Sequence, residues 1–102
     1  MRILFERSGG FANIRFAGDF NLEELPDDQA KLLRELLEQA GFPTLPEQLS
    51  GHSPVPDQFN YSITVETGAW RHTVITGDNS APDTLRPLLQ KLTELARSQK
   101  KR

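Results

Sequence analysis

Polar and apolar residues alternate along two parts of this chain and recur with helical spacing along two others. Ile3 and Phe5, then Ala12, Ile14 and Phe16, alternate with polar neighbours on either side of Ser8-Gly9-Gly10. Two alternating runs around a glycine-rich tip predict a β-hairpin over residues 2–17. Parity gives its register: Phe5 faces Ala12, Ile3 faces Ile14 and Met1 faces Phe16, all on one buried face. Glu6 and Phe11 then lie opposite each other on the other, polar face. Further on, Gln58 to Glu66 alternates strictly, with Phe59, Tyr61, Ile63 and Val65 facing one way. Gly68-Ala69 suits a two-residue type II′ turn, which wants glycine first. That turn sets Thr67 against Trp70, Val65 against His72 and Ile63 against Val74.

Between and after the hairpins the period changes to that of a helix. Ala30, Leu33, Leu36, Leu37 and Ala40 form one apolar stripe, which Leu32 broadens. Leu25-Pro26-Asp27-Asp28 opens this helix, because proline suits a first turn and acids favour the positive end of the dipole. Gly41 ends it in the left-handed conformation, with Phe42 packing back on Leu37. Leu85, Leu88, Leu89, Leu92, Leu95 and Ala96 form a second stripe. Ser80 or Ala81 caps that helix and Pro82 lies in its first turn. Pro87 requires either a start near Asp83–Leu85 or a kink. Residues 43–57 hold Pro43, Pro46, Pro54 and Pro56 and predict a long loop with at most one turn near Glu47–Leu49. Leu45, Leu49 and Val55 are its candidate anchors to the core.

The order is ββαββα. Two hairpins with one apolar face each, and two helices with one apolar stripe each, predict a single α+β domain. The expected architecture is a four-stranded, mainly antiparallel sheet with both helices on one face. Residues 1–98 form the domain and 99–102 a basic, frayed tail. If the second and third strands are neighbours, both hairpin tips point to one end and carry Phe11 and Trp70 together. The other sheet face is open and polar, with Asn13, Arg15, Asn60, Ser62, Thr64 and Thr73.

Composition narrows the function. The 102 residues suffice for one domain. The absence of cysteine excludes a disulfide framework and thiolate chemistry. With no apolar run of spanning length and no signal-like start, the expected location is cytoplasmic. Charge is uneven: residues 19–47 carry eight acidic and two basic side chains, and residues 86–102 carry six basic and one acidic. Cations at the end of the last helix explain the second cluster. No basic patch with interleaved aromatics argues for nucleic acid.

No constellation for catalysis stands out. His52 and His72 have no metal-ligand spacing, and His72 falls at the core edge as a hydrogen-bonded residue. The acidic pairs Glu23-Glu24 and Asp27-Asp28 serve a helix start. Arg7-Ser8-Gly9-Gly10 leads into a strand, not a helix, so it lacks a phosphate loop's anion site. No cofactor, metal, membrane or small-molecule substrate is expected, and the chain is not expected to be an enzyme. Protein binding remains. The candidate contact residues are Arg7, Ser8, Gly9, Gly10 and Phe11 at the first tip and Gly68, Ala69 and Trp70 at the second. Hairpin tips with arginine and exposed aromatics have the composition of interface hot spots. Trp70 has a second reading, as a cap on the core.

Ile3-Leu4-Phe5-Glu6-Arg7-Ser8-Gly9-Gly10-Phe11-Ala12 resembles the opening of emfourin, a bacterial protein inhibitor of protealysin and other thermolysin-like metallopeptidases. The resemblance continues through Leu25-Pro26, Ala40-Gly41-Phe42, Phe59-Asn60-Tyr61, Thr64-Val65-Glu66, Arg71-His72-Thr73-Val74 and Leu85–Leu89, and ends at Leu92. Asn13 stands where that family often has a glycine. What the resemblance implies is a non-enzymatic, non-covalent inhibitor of a protealysin-like zinc metalloprotease. Rigid loops entering the protease cleft, with Phe11 or Trp70 in the pocket for bulky apolar side chains, fit that implication. The proline-rich segment 51–57 is the rival wedge. The alternative function is a small regulatory or scaffold module that binds another protein and has no protease target.

Overall fold

The apolar stripes and alternating runs become two helices and four strands. The structure, a computed structural model, describes residues 1–9, 16–47, 59–77 and 81–100. The strands are β1 (Arg2–Gly9), β2 (Phe16–Asn21), β3 (Phe59–Glu66) and β4 (Arg71–Gly77). The helices are α1 (Asp27–Ala40) and α2 (Arg86–Lys100). The four strands form one sheet in the order β2-β1-β3-β4, with every neighbouring pair antiparallel. The chain is therefore the predicted α+β ββαββα domain.

One face of the sheet is apolar. Ile3, Phe5, Phe20, Ile63, Val65 and Val74 lie on it, each at most 2% exposed. They share one core with Leu33, Leu36 and Leu37 of α1 and Leu88, Leu89 and Leu92 of α2. Burying one such side chain contributes about 1.5–3 kcal/mol, so this shared core dominates the fold. Leu32 is the exception to the predicted α1 stripe. It is 38% exposed, because the stripe through Ala30, Leu33 and Leu37 already fills the packed side and Leu32 lies off it.

The first hairpin differs from its predicted register. Phe5 pairs with Gly18, Ile3 with Phe20 and Arg7 with Phe16. Ala12, Ile14 and the predicted partner Phe11 fall in residues 10–15, outside the described residues. Glu6 pairs with Ala17, not Phe11. The physical reason is parity. Moving a register by an even number of residues keeps every side chain on its face, so alternation alone cannot distinguish the two pairings. Burial can. The observed register brings Phe20 into the core. It also sets Gly18 where α2 crosses: a Cβ there would lie 2.5 Å from Phe20 Cζ and 3.2 Å from Ala96 Cβ. Gly18 is thus a point of close approach between sheet and helix, where a side chain has no room.

The second hairpin has the predicted register, with Val65 opposite His72 and Ile63 opposite Val74. Its turn is closed as expected, Thr67 N–H donating to Trp70 O at 2.8 Å. Its type is different. Only Gly9 (φ 105°) and Gly41 (φ 60°) among the described glycines have the positive φ that a type II′ turn needs at its first position. Thr67 Oγ1 closes the turn instead, accepting from the N–H groups of Ala69 and Trp70 at 3.0 Å each.

Helix ends follow local chemistry. Gly41 caps α1 in the left-handed conformation and its N–H reaches Glu38 O at 3.0 Å. A 3₁₀ turn follows at Phe42–Thr44, with Phe42 fully buried. Gly41 turns the chain into it, and the turn predicted near Glu47–Leu49 falls largely outside the described residues. Residues 48–58 lie outside the described residues. α2 starts at Arg86, after a turn in which Leu85 and Arg86 N–H groups both reach Pro82 O. Pro87 then lies in the first helical turn, where its missing N–H costs nothing. Ala81 donates to Gly77 O and does not cap α2, and Ser80, the other predicted cap, lies outside the described residues. α2 runs to Lys100, into the expected tail, as suits cations at a helix C-terminus.

Candidate functional site

Antiparallel pairing of β1 with β3 decides where the predicted contact residues lie. Arg2 faces Glu66 and Gly9 faces Phe59. The end of β1 at Gly9 is therefore the far end from the Thr67–Trp70 turn. The two tips point in opposite directions, not together as expected, because β3 neighbours β1 and not β2. An eight-residue strand separates them by roughly 23 Å.

At the Gly9 end, Arg7 lies on the helix side of the sheet, paired with Tyr61, and Ser8 on the open side, paired with Asn60. Gly9 ends the strand with φ 105°. Gly10 and Phe11 lie outside the described residues, as does the rival segment 51–57. This end also receives the start of β3, opposite Gly9, and the end of β4, where Gly77 faces Asn60. At the other end, Gly68, Ala69 and Trp70 are exposed, Trp70 by 37%. Trp70 is therefore not part of the buried core. Thr67 holds the turn through three hydrogen bonds of 3.0 Å or less.

The open face near the turn is a ladder of charges. Arg2 lies between Asn21 and Glu66, and Glu66 faces Arg71. Arg2 donates through Nε to Asp19 Oδ1 at 2.8 Å and through a second nitrogen to Oδ2. This hydrogen-bonded pair holds the Asp19 carboxyl below the usual carboxylate range and raises the Arg2 guanidinium. Deeper along the same face, the Thr64 and Thr73 hydroxyls meet at 2.9 Å.

His72 is a structural residue, as its parity predicts. It donates through Nε2 to Leu45 O at 2.7 Å and meets Phe42 edge-on at 5.6 Å between ring centres. Glu47 O accepts from Ile75 N–H at 2.7 Å. Residues 45–47 thus lie along the outer edge of β4 and satisfy part of it. Leu45 is an anchor of the crossover, packed on the core. No group of three His, Asp or Glu side chains suited to a metal occurs among the described residues.

The chain matches the Emfourin family model over residues 5–93. It belongs to the Emfourin family. The same comparisons find no match among curated proteins or solved structures. The Emfourin match covers all of the sheet but the first three residues of β1, together with α1 and the first half of α2, so it includes both candidate ends. Emfourin membership implies a protease inhibitor rather than an enzyme, with a metallopeptidase as its general class of partner. No helix among the described residues is long and apolar enough to cross a membrane.

One feature of the fold escaped the pattern of the sequence. A groove of about 770 Å³ lies between the Gly9 end of the sheet and one flank of α2. Arg7 and Tyr61 line it from the sheet, and Arg86, Thr93, Glu94 and Arg97 from the helix. The spacing of residues 86, 90, 93 and 97 is a helical one and was visible in the chain. Its partner wall was not, since only the tertiary fold sets Arg7 across from it.

Proposed function

We propose that this protein inhibits a thermolysin-like zinc metalloprotease of the protealysin type by inserting one end of its sheet into the active-site cleft. The observation that carries this reading is the family match over nearly the whole chain. The opposed tips refine it. A single cleft takes one end of the sheet, so the eight candidate residues divide into two alternatives. The inserted end is Arg7–Phe11. Its first three residues lie on a strand flanked on one side by β2 and on the other by β3, a rigid base for a loop. The segment that includes the rival wedge 51–57 rejoins the sheet at Phe59, beside Gly9. Both rival elements therefore attach to the same end, and a preformed base keeps the ordering cost of binding low. Gly68, Ala69 and Trp70 stand outside this interface. A bacterial cytoplasm belongs to the same proposal, since a chain without cysteine suits a reducing compartment.

The experiment is inhibition of a panel of thermolysin-like proteases by the purified chain, with Phe11→Ala, Val55→Ala and Trp70→Ala in parallel and thermal unfolding of each. Phe11→Ala or Val55→Ala is expected to weaken inhibition by about tenfold or more at unchanged stability, as a hot-spot truncation does. Trp70→Ala should leave the inhibition constant alone. The opposite pattern moves the interface to the turn. A folded chain that inhibits no member of the panel leaves the scaffold reading in its place.

A further inference from the structure

The groove beside Arg7 has a charge pattern that helix chemistry does not explain. Arg86 is in the first turn of α2, and that turn holds no acidic residue. A cation there opposes the helix dipole. The dipole effect that suits cations at the end of α2 does not extend to Arg86, at its start. Residues 86, 90, 93 and 97 recur at steps of four, three and four, so they share one flank of the helix. All four line the groove. Arg86 and Arg97 stand about 16 Å apart along that flank at 1.5 Å per residue. Arg7 faces them from β1, beside Tyr61.

We propose that this groove is the docking site for an extended, acidic segment of the partner protein. The proposal rests on the inhibitor reading only in naming that partner a protease. Three guanidiniums line the groove against two carboxylates. Asp83 is fully exposed and lies 3.5 Å from Arg86. Glu94 lies on the helix between Arg86 and Arg97. Arg7, Arg86 and Arg97 each make contacts within the chain. A guanidinium has five N–H donors in a fork, so one already in contact still takes a carboxylate. An extended chain advances about 3.3 Å per residue and returns to the same face every second residue. Acidic side chains four residues apart then span about 13 Å and reach toward Arg86 and Arg97 together, with Arg7 on the facing wall. The Tyr61 ring, stacked on Phe5 at 6.1 Å between centres, supplies an apolar wall for the aliphatic part of the segment. Because Arg7 lines the groove two residues before Gly9, the same partner meets it when that end is inserted. Asp83 and Glu94 are the groove charges that work against the segment, and Glu94, on the helix between the two arginines, gives the proposal a test of sign.

The probe is N-acetylated hexaglutamate, titrated into the full chain at low salt and followed by amide NMR shifts. Shifts are expected at Arg7, Tyr61 and along residues 86–97. The double variant Arg86→Ala/Arg97→Ala should bind about tenfold more weakly, and Glu94→Gln about two- to fivefold more tightly, as exposed charge pairs of modest strength allow. Unfolding temperatures of both variants check that the fold is intact, and Arg97→Gln alone replaces the double variant if it is not. Shifts elsewhere, equal affinity for the arginine variant, or weaker binding by Glu94→Gln overturns the assignment. Tighter binding of a single-stranded oligonucleotide of equal charge also overturns it, in favour of a phosphate ligand. The inhibitor reading fails separately. A chain that binds hexaglutamate in the groove but inhibits no protease keeps the groove and loses the protease. An Arg86→Ala/Arg97→Ala chain that inhibits with unchanged constant and unchanged salt dependence keeps the protease and loses the groove.

Discussion

The two ends of the sheet are built on different principles. At one end, Thr67 to Trp70 closes β3 onto β4 in two loop residues, and the bonds that hold the turn are local. At the other end, β1 stops at Gly9 and β2 resumes at Phe16, and what fixes their pairing is far away in sequence: Phe20 in the core and Gly18 against Ala96 of α2. The local end keeps its register because no other pairing satisfies the turn. The distant end takes its register from packing.

That contrast can be attacked where it is strongest. Gly18→Ala is expected to destabilise the whole domain by about 1–3 kcal/mol, the cost of overpacking. The added methyl meets the Phe20 ring, itself 1% exposed and without room to swing aside. Urea unfolding with unchanged slope checks it, and an unaltered midpoint would show that the sheet and α2 are less tightly apposed at Gly18. A smaller effect follows at the local end. Thr67→Ala removes the acceptor for two backbone N–H groups, and a loss of about 1 kcal/mol, that of a missing cap, is expected. Amide exchange should accelerate at Ala69 and Trp70 while the amides of β1 keep their protection.

The smallest expected effect is the acid limb of the Arg2–Asp19 pair. Asp19 has its carboxyl pKa lowered in the folded chain. Its contribution is present above the unfolded value of about 3.9 and is lost as pH falls through the lower folded value. Asp19→Asn should therefore lower the unfolding temperature slightly at neutral pH, with the difference closing below about pH 4. Both side chains are half exposed, so salt should shrink the difference as well. A gap that persists at pH 2 would assign the effect to packing and not to charge.

Much of this fold was legible in the chain. The α1 stripe, the Gly41 cap, the whole of β3 and the register of β3 with β4 all follow from period and turn length. These are local properties, set within a few residues. Two features were not legible for the same reason. Neither the pairing of Phe5 with Gly18 nor the adjacency of β1 and β3 leaves a local signature, because both are choices among pairings that alternation satisfies equally. The candidate site inherited that gap. Arg7 was assigned to a tip with Trp70, whereas it lies at the other end and on the helix side, across from Arg86 and Arg97.

The sequence alone determined which faces are buried, where the helices run and that the chain resembles an inhibitor family. Burial parity and helical period are written residue by residue, so they survive any error in strand order. Only the tertiary structure decided which strands are neighbours, which end of the sheet each tip occupies and which arginines share a groove. Those depend on packing between segments distant in sequence, where an even shift of register leaves every face unchanged and only the fit of Phe20, Gly18 and Ala96 separates one arrangement from the next.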